Sequence, residues 1–294
     1  MKILIAVASK EYSGPTLRVG MQIAKALNAS TTIVDVAEKA NKFNSKVVGL
    51  AQERMDSWEF DRPGIDVLEW AFNFLAENNY IVPTMVEAGF STNMLVEIGE
   101  NRSEVFLKGT VCKDVQMILR NGDIISELRD EVKQGHYNVT IIGGSGKRRM
   151  AHDLIQYIDS SIFVVNQFDP NQKYRILLAV DDSTGTKGAV KFGVRVAQAF
   201  KIDVDILTVS KVDRFRDGYK GAAERAGKFM RRAGIQYQNI YRVGDPSEII
   251  KKEAGDNHIV IMGASSKNPL MKFFKGSKPL KVMEDCPCPI LIVK

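Results

Sequence analysis

Ile3-Leu4-Ile5-Ala6-Val7-Ala8-Ser9 returns near the middle of the chain as Ile176-Leu177-Leu178-Ala179-Val180-Asp181-Asp182. Each stretch opens the same series of landmarks. An amphipathic segment follows, Val19 to Leu27 in one case and Ala189 to Phe200 in the other. Then comes Arg-x-Gly-Asp, as Arg120-Asn121-Gly122-Asp123 and as Arg242-Val243-Gly244-Asp245. An apolar run ending in glycine is next, Val139 to Gly143 and Ile259 to Gly263. Each copy closes on a short apolar run, Ile162 to Val165 and Ile290 to Val293. A repeat of this length sets the architecture before any single motif is read.

Within each copy, short β-branched apolar runs alternate with longer amphipathic ones, which predicts an α/β fold with a mostly parallel sheet covered by helices. In the second copy the pattern predicts strands at 175–180, 203–209, 237–242, 258–263 and 289–293, and helices at 185–200, 217–233, 246–255 and 275–284. In the first it predicts strands at 2–7, 31–36, 114–120, 138–143 and 161–165 and a tryptophan-bearing helix at 64–78. The first copy is longer by an insertion at about 81–112. There Met94 to Ile98 and Ser103 to Leu107 flank a glycine-containing turn, which reads as a β-hairpin. The domains are therefore expected at 1–167 and 174–294, joined by a polar linker at 168–173.

The chain has 294 residues, 45% of them apolar and 26% charged, an ordinary balance for a globular protein. No apolar run reaches the roughly 18 residues that span a bilayer. The polar turn at Ser9-Lys10-Glu11 is unlike the apolar core of a secretory signal. Both points favour a cytoplasmic protein that keeps off membranes. Three cysteines, Cys112, Cys286 and Cys288, make no disulfide framework. Cys286-Pro287-Cys288 supplies two thiolates, half of a zinc site, and reads as a proline-stiffened turn. The three histidines, His136, His152 and His258, lack metal-ligand spacing, so no metal site is assigned. Net charge is unevenly shared. Residues 1–172 carry 18 Lys and Arg against 22 Asp and Glu, and residues 173–294 carry 23 against 13, so balances of −4 and +10 make up the total of +6. A basic half suits phosphate-bearing ligands. Nucleic acid is disfavoured, because the aromatics of the Lys267 to Lys281 patch are one adjacent pair, Phe273-Phe274, and do not alternate with the basic residues as a single-strand platform requires.

In an open parallel sheet, ligands bind beyond the carboxyl ends of the strands, where strand order reverses. In the second copy this draws attention to Asp181-Asp182-Ser183 and to Gly263-Ala264-Ser265-Ser266. Gly263 allows a backbone course that a Cβ would obstruct. Ser265 and Ser266 offer hydroxyls to phosphate oxygens. Gly276-Ser277 opens the next helix, whose free N–H groups and positive dipole end favour an anion, and Lys278 adds a charge there. Asp181 is placed to accept hydrogen bonds from ribose hydroxyls. No G-x-S-x-G, no G-x-x-x-x-G-K-[ST] and no positioned general base is found, so no catalytic residue is assigned.

This arrangement resembles the universal stress protein family, whose adenine-nucleotide motif is G-x2-G-x9-G-[S/T] after strand four, with an aspartate after strand one. The resemblance covers both copies and omits the insertion and the linker. It implies two tandem Rossmann-like domains of strand order 3-2-1-4-5, binding of ATP, ADP or AMP (with Mg accompanying ATP), and pairing of the copies through their fifth strands. A homodimer or larger assembly is a further expectation of that form. It places Ala179, Val180 and Val209 against the adenine and Met262 beside the loop. The second copy keeps Asp181, Gly263, Gly276 and Ser277, but Ser266 stands where the second motif glycine belongs. The first copy keeps Gly143 and Gly146, a weaker second site. It has Ala8 for the aspartate and Gln156-Tyr157 for Gly-Ser.

The expectation is an adenine-nucleotide-binding stress-response regulator or sensor, with the nucleotide in the second copy and the first copy kept for pairing or partner contact. The alternatives are a nucleotide-independent scaffold that uses the insertion, a slow ATPase, and an adenylyl-transferring enzyme. The last lacks its usual S-G-G-x-D-S or H-x-G-H run.

Overall fold

A computed structural model describes residues 1–37, 64–90, 95–98, 101–112, 114–144, 157–166, 168–264 and 286–294, together with Leu154 and Val282. The chain divides into two compact units, Met1–Tyr137 and Asn138–Lys294. This division falls inside the first copy of the repeat, ahead of its last two strands.

Unit 1 runs β1 (Lys2–Val7), α1 (Lys10–Leu27), β2 (Ser30–Ala37), α2 (Ile65–Glu77), α3 (Pro83–Ala88), β3 (Val96–Glu97), β4 (Arg102–Lys108), β5 (Asp114–Asn121) and α4 (Ile124–Gly135). β1, β2 and β5 are parallel neighbours, with Ile5 opposite Ile33 and Ile33 opposite Met117. β4 lies antiparallel on β5, and β3 antiparallel on β4, with Val96 opposite Glu104. The inserted segment thus widens the sheet at β5. The expected turn at Gly99-Glu100 and the Met94 end of the hairpin lie outside the described residues.

Unit 2 runs β6 (Val139–Gly143), β7 (Ser161–Val165), β8 (Arg175–Ala179), α5 (Gly185–Phe200), β9 (Val204–Ser210), α6 (Asp217–Arg232), β10 (Tyr237–Val243), α7 (Pro246–Ala254), β11 (His258–Gly263) and β12 (Ile290–Val293). Its strands lie in the order β10-β9-β8-β11-β12-β7-β6. Counted within the second copy, the first five are strands 3-2-1-4-5. All neighbours are parallel except β12 and β7, which pair antiparallel with Leu291 opposite Phe163. β8 and β11 are buried along nearly their whole length, as central parallel strands covered on both faces must be. α5 buries Thr186, Ala189, Val190, Gly193, Val196 and Ala197, the stripe of an amphipathic helix on a sheet. The predicted helix at 275–284 lies outside the described residues, apart from Val282.

The repeated Arg-x-Gly-Asp proves architectural. In both copies the glycine N–H donates to the end of strand two, Gly122 to Ala37 O and Gly244 to Ser210 O, each at 2.9 Å. The aspartate then caps the next helix: Asp123 Oδ1 accepts from Ser126 N at 2.9 Å, and Asp245 Oδ1 from Ser247 N at 3.0 Å. These bonds hold both carboxyls below the usual range, the largest cause being the backbone bond from Ser126 for Asp123 and the Ser247 side chain for Asp245. The arginine pairs with a glutamate on that helix, Arg120 Nε with Glu131 Oε2 and Arg242 Nε with Glu253 Oε1, both at 2.7 Å.

One expectation changes. Cys286 and Cys288 form a disulfide, so the reading of a bare proline-stiffened turn is corrected. Pro287 leaves their Cα atoms 5.4 Å apart, within the usual disulfide range. His136 is the left-handed C-cap of α4. Within residues 168–174, Phe168 stacks on Tyr174 at 5.0 Å, and the Tyr174 hydroxyl accepts from Asp169 N.

Candidate functional site

β8 ends at Ala179 and α5 begins at Gly185, so Val180 to Thr184 form the loop at the carboxyl end of the central strand. Val180 is buried and donates its N–H to Leu207 O at 2.9 Å. Asp181, partly buried, is locked by three donors on a single oxygen. Its Oδ1 accepts from Ser183 N at 3.0 Å, Ser183 Oγ at 2.5 Å and Thr186 Oγ1 at 2.7 Å. The Thr186 hydroxyl in turn accepts from Asp181 N at 3.2 Å. Among the described residues no donor reaches Oδ2. A carboxylate with one oxygen anchored and the other open is preorganised for a ligand hydroxyl.

Gly263 ends β11 directly beside this loop. A Cβ there would fall 2.4 Å from the carbonyl carbon of Gly185, and a Cβ on Gly185 would fall 2.3 Å from the carbonyl oxygen of Ala264. Two glycine backbones therefore touch where the loop after β11 crosses the start of α5. The requirement for Gly263 is this close approach, since its φ is not among the positive ones. Gly185 escaped the sequence reading, as did Thr186. A signal for the hydroxyl existed in the repeat. Ser13 Oγ accepts from Ala8 N at 3.0 Å, and Ser13 follows Ala8 by the interval that separates Thr186 from Asp181.

Of the other expected residues, Ala179 and Val209 are partly buried at the ends of β8 and β9, and Met262 is buried near the end of β11. The structure thus gathers Ala179, Val180, Asp181, Val209, Met262 and Gly263 at the carboxyl ends of three adjacent strands. Ser265, Ser266, Gly276, Ser277 and Lys278 lie outside the described residues.

The first copy is built differently at the matching place. α1 begins at Lys10, two residues after Ala8, whereas α5 begins four residues after Asp181. Measured from these matched positions, α1 therefore starts two residues earlier than α5 does. Gly143 ends β6, Gly144 N donates to Val165 O at 2.9 Å as Ala264 N does to Val293 O at 2.6 Å, and Gly146 lies outside the described residues. Tyr157 is half exposed.

A cavity of about 400 Å³ runs from Asp181 and Asp182 into the groove between α5 and α6. At the opposite, amino ends of the strands, Asp205 is buried between Arg175, Gln238 and His258. Burial pushes its carboxyl upward, but the hydrogen bonds from His258, Arg175 and Gln238 outweigh this and hold it well below the usual range. That cluster ties four strands together and faces away from the loop.

The universal stress protein family model matches residues 174–294. No curated protein matches the sequence. At least three solved structures align over 100% of the chain, two of them universal stress proteins by description. One is a universal stress protein from Archaeoglobus fulgidus DSM 4304, at 14% identity over 96% of its own length, with a TM-score of 0.59. The other is a putative universal stress protein from Pseudomonas aeruginosa UCBPP-PA14, at 13% identity over 92% of its length, with a TM-score of 0.61. Among the described residues no helix is long and apolar enough to cross a membrane. Residues 174–294 thus match the universal stress protein family, and a fold like that of solved universal stress proteins extends over the whole chain.

Proposed function

We propose that the chain is an adenine-nucleotide-binding regulator of the cytoplasm, with ATP, ADP or AMP held by the second copy and no catalytic residue committed to turnover. The observation that carries this reading is Asp181, fixed through Oδ1 and open at Oδ2, beside the contact of Gly185 with Gly263. In this reading Asp181 takes the ribose hydroxyls, Ala179, Val180, Val209 and Met262 line the base, and the N–H groups after Gly263 meet the phosphates. Ser265, Ser266, Gly276, Ser277 and Lys278 complete the phosphate side, with Mg accompanying ATP. The first copy, whose α1 starts two residues after Ala8, keeps Gly143 and Gly146 and serves pairing rather than binding. The functional domains are then 1–167 and 174–294, with 168–173 between them. They pair through β7 and β12, which the antiparallel register of those strands supports.

The experiment is thermal denaturation with ATP, ADP and AMP. A ligand that binds only the folded state raises Tm. Asp181→Ala should remove most of that rise while leaving the unliganded Tm within a few degrees. No shift with any of the three nucleotides would sink the reading. A second reading, an interaction scaffold, is favoured by one feature: Val96, Ile98 and Phe106 of the insertion are 60%, 48% and 64% exposed. It predicts a partner that is lost on deleting residues 90–110 and is indifferent to nucleotide.

A further inference from the structure

We propose that the groove between α5 and α6 is a second ligand site, for a small planar aromatic anion. Its floor is apolar and tightly closed: Val190 is 4% exposed and Ala226 is fully buried. Its rim carries Lys187 and Lys191, one turn apart on α5, and Arg225 on α6. Among the described residues none of these three cations has an ion-pair partner. Phe229, one turn beyond Arg225, lines the groove with 46% of its surface exposed and touches no other aromatic ring among the described residues. The cavity volume of about 400 Å³ suits a compact small molecule.

The residues have a polarity along the groove. Asp181 and Asp182 stand at the end nearest the strands. Lys191 is about 9 Å further along α5 than Gly185, at 1.5 Å per residue. An anionic group is therefore driven away from the aspartates and towards Lys191 and Arg225. Alanine at 222 and 226 keeps the floor shallow, so a flat ring can lie on the helix against the Phe229 edge. The groove shares only the Asp181 loop with the proposed nucleotide site and lies on the helical face of the sheet rather than beyond its strand ends.

The test uses the full-length chain with 8-anilinonaphthalene-1-sulfonate as the probe, an aromatic sulfonate that fluoresces when its ring leaves water. Saturable binding at one site per chain is expected. Lys191→Glu with Arg225→Glu should weaken it at least tenfold, and Phe229→Ala should lower the bound fluorescence. A control with the same charge change, Lys228→Glu with Lys252→Glu, should leave both quantities unchanged. All five positions are exposed, so near-ultraviolet circular dichroism should show native packing in every variant. Saturating AMP should leave the probe bound. Equal weakening by the control pair, indifference to the groove variants, or competitive displacement by AMP would each overturn the proposal of a separate site.

Discussion

Asp35 is a buried carboxylate at the carboxyl end of β2, with only 3% of its surface exposed. Gly64 closes over it, and a Cβ there would lie 2.4 Å from Asp35 Oδ2. Burial first, then the nearby charge of Asp66, pushes its carboxyl from 3.8 up to about 7, against a smaller opposing bond from the Val36 backbone. A raised acid is protonated in the folded chain and ionised in the unfolded one. Its contribution is therefore fully present below about pH 4 and is lost as pH rises through about 7. Unfolding free energy should fall across that window by up to about 1.4 kcal/mol per pH unit from this group. Denaturant titrations from pH 4 to 8 on the wild type and on Asp35→Asn measure it, and the variant should lack this component of the slope. Gly185 makes a second test at this scale. Gly185→Ala sets a methyl group against the Ala264 carbonyl, and an overpacked contact of that kind costs about 1–3 kcal/mol. Its Tm should drop, and any nucleotide-induced rise should shrink with it.

At the scale of elements, the inserted strand β4 is fastened by charge. Arg102 on β4 reaches Glu131 on α4 at 3.0 Å and Glu104 at 2.5 Å, while Arg120 on β5 shares Glu131 from the other side. Tyr137 completes the cluster, donating to Thr32 Oγ1 at 2.9 Å. Burial pushes Glu131 upward, but bonds and charge from Arg102 and Arg120 prevail and hold it below its usual value. Its stabilising effect is thus present above the ordinary glutamate range and is lost as pH falls through the lower folded value. Glu131→Gln leaves two arginines short of a buried partner and should cost about 3 kcal/mol at neutral pH. Chemical denaturation would read this, with a smaller loss for Glu253→Gln, whose Arg242 partner is exposed. The contrast shows what the sequence could disclose. The repeat marked Arg120 and Arg242 as equivalent, and the spacing to Glu131 and Glu253 is the same in both copies. Which pair was buried depended on β4, an insertion with no counterpart to compare. Strand and helix positions in the second copy followed from alternation of pattern alone, to within a residue at most ends. The meeting of Gly185 with Gly263 is a contact across the fold, so no local pattern announces it, whereas the Thr186 hydroxyl that anchors Asp181 five residues earlier has its counterpart in Ser13 after Ala8.

At the scale of the molecule, the repeat copies and the compact units disagree, and the reason lies in β7. This strand belongs to the first copy by sequence but to unit 2 by packing. It covers the edge of β12 opposite β11, with Ile290 across from Val164 and Ile292 across from Ile162. Because β7 and β12 are the matching last strands of the two copies, their antiparallel pairing is one that two β12 strands could reproduce about a two-fold axis, with Leu291 at its centre. A fragment of residues 174–294 loses β7 and bares an apolar edge strand, which is a template for pairing with another chain. That fragment should therefore self-associate, and its Tm should rise with protein concentration because dimer formation stabilises the folded state. The full chain, with this edge already filled, should melt at a temperature independent of concentration over the same range. Ile292→Pro in the fragment removes a backbone donor from the exposed strand and should lower both the association and its concentration dependence. Differential scanning calorimetry at several concentrations, with the mass of each species from light scattering, separates these outcomes. A monomeric, concentration-independent fragment would show that β7 is not what keeps the β12 edge from pairing.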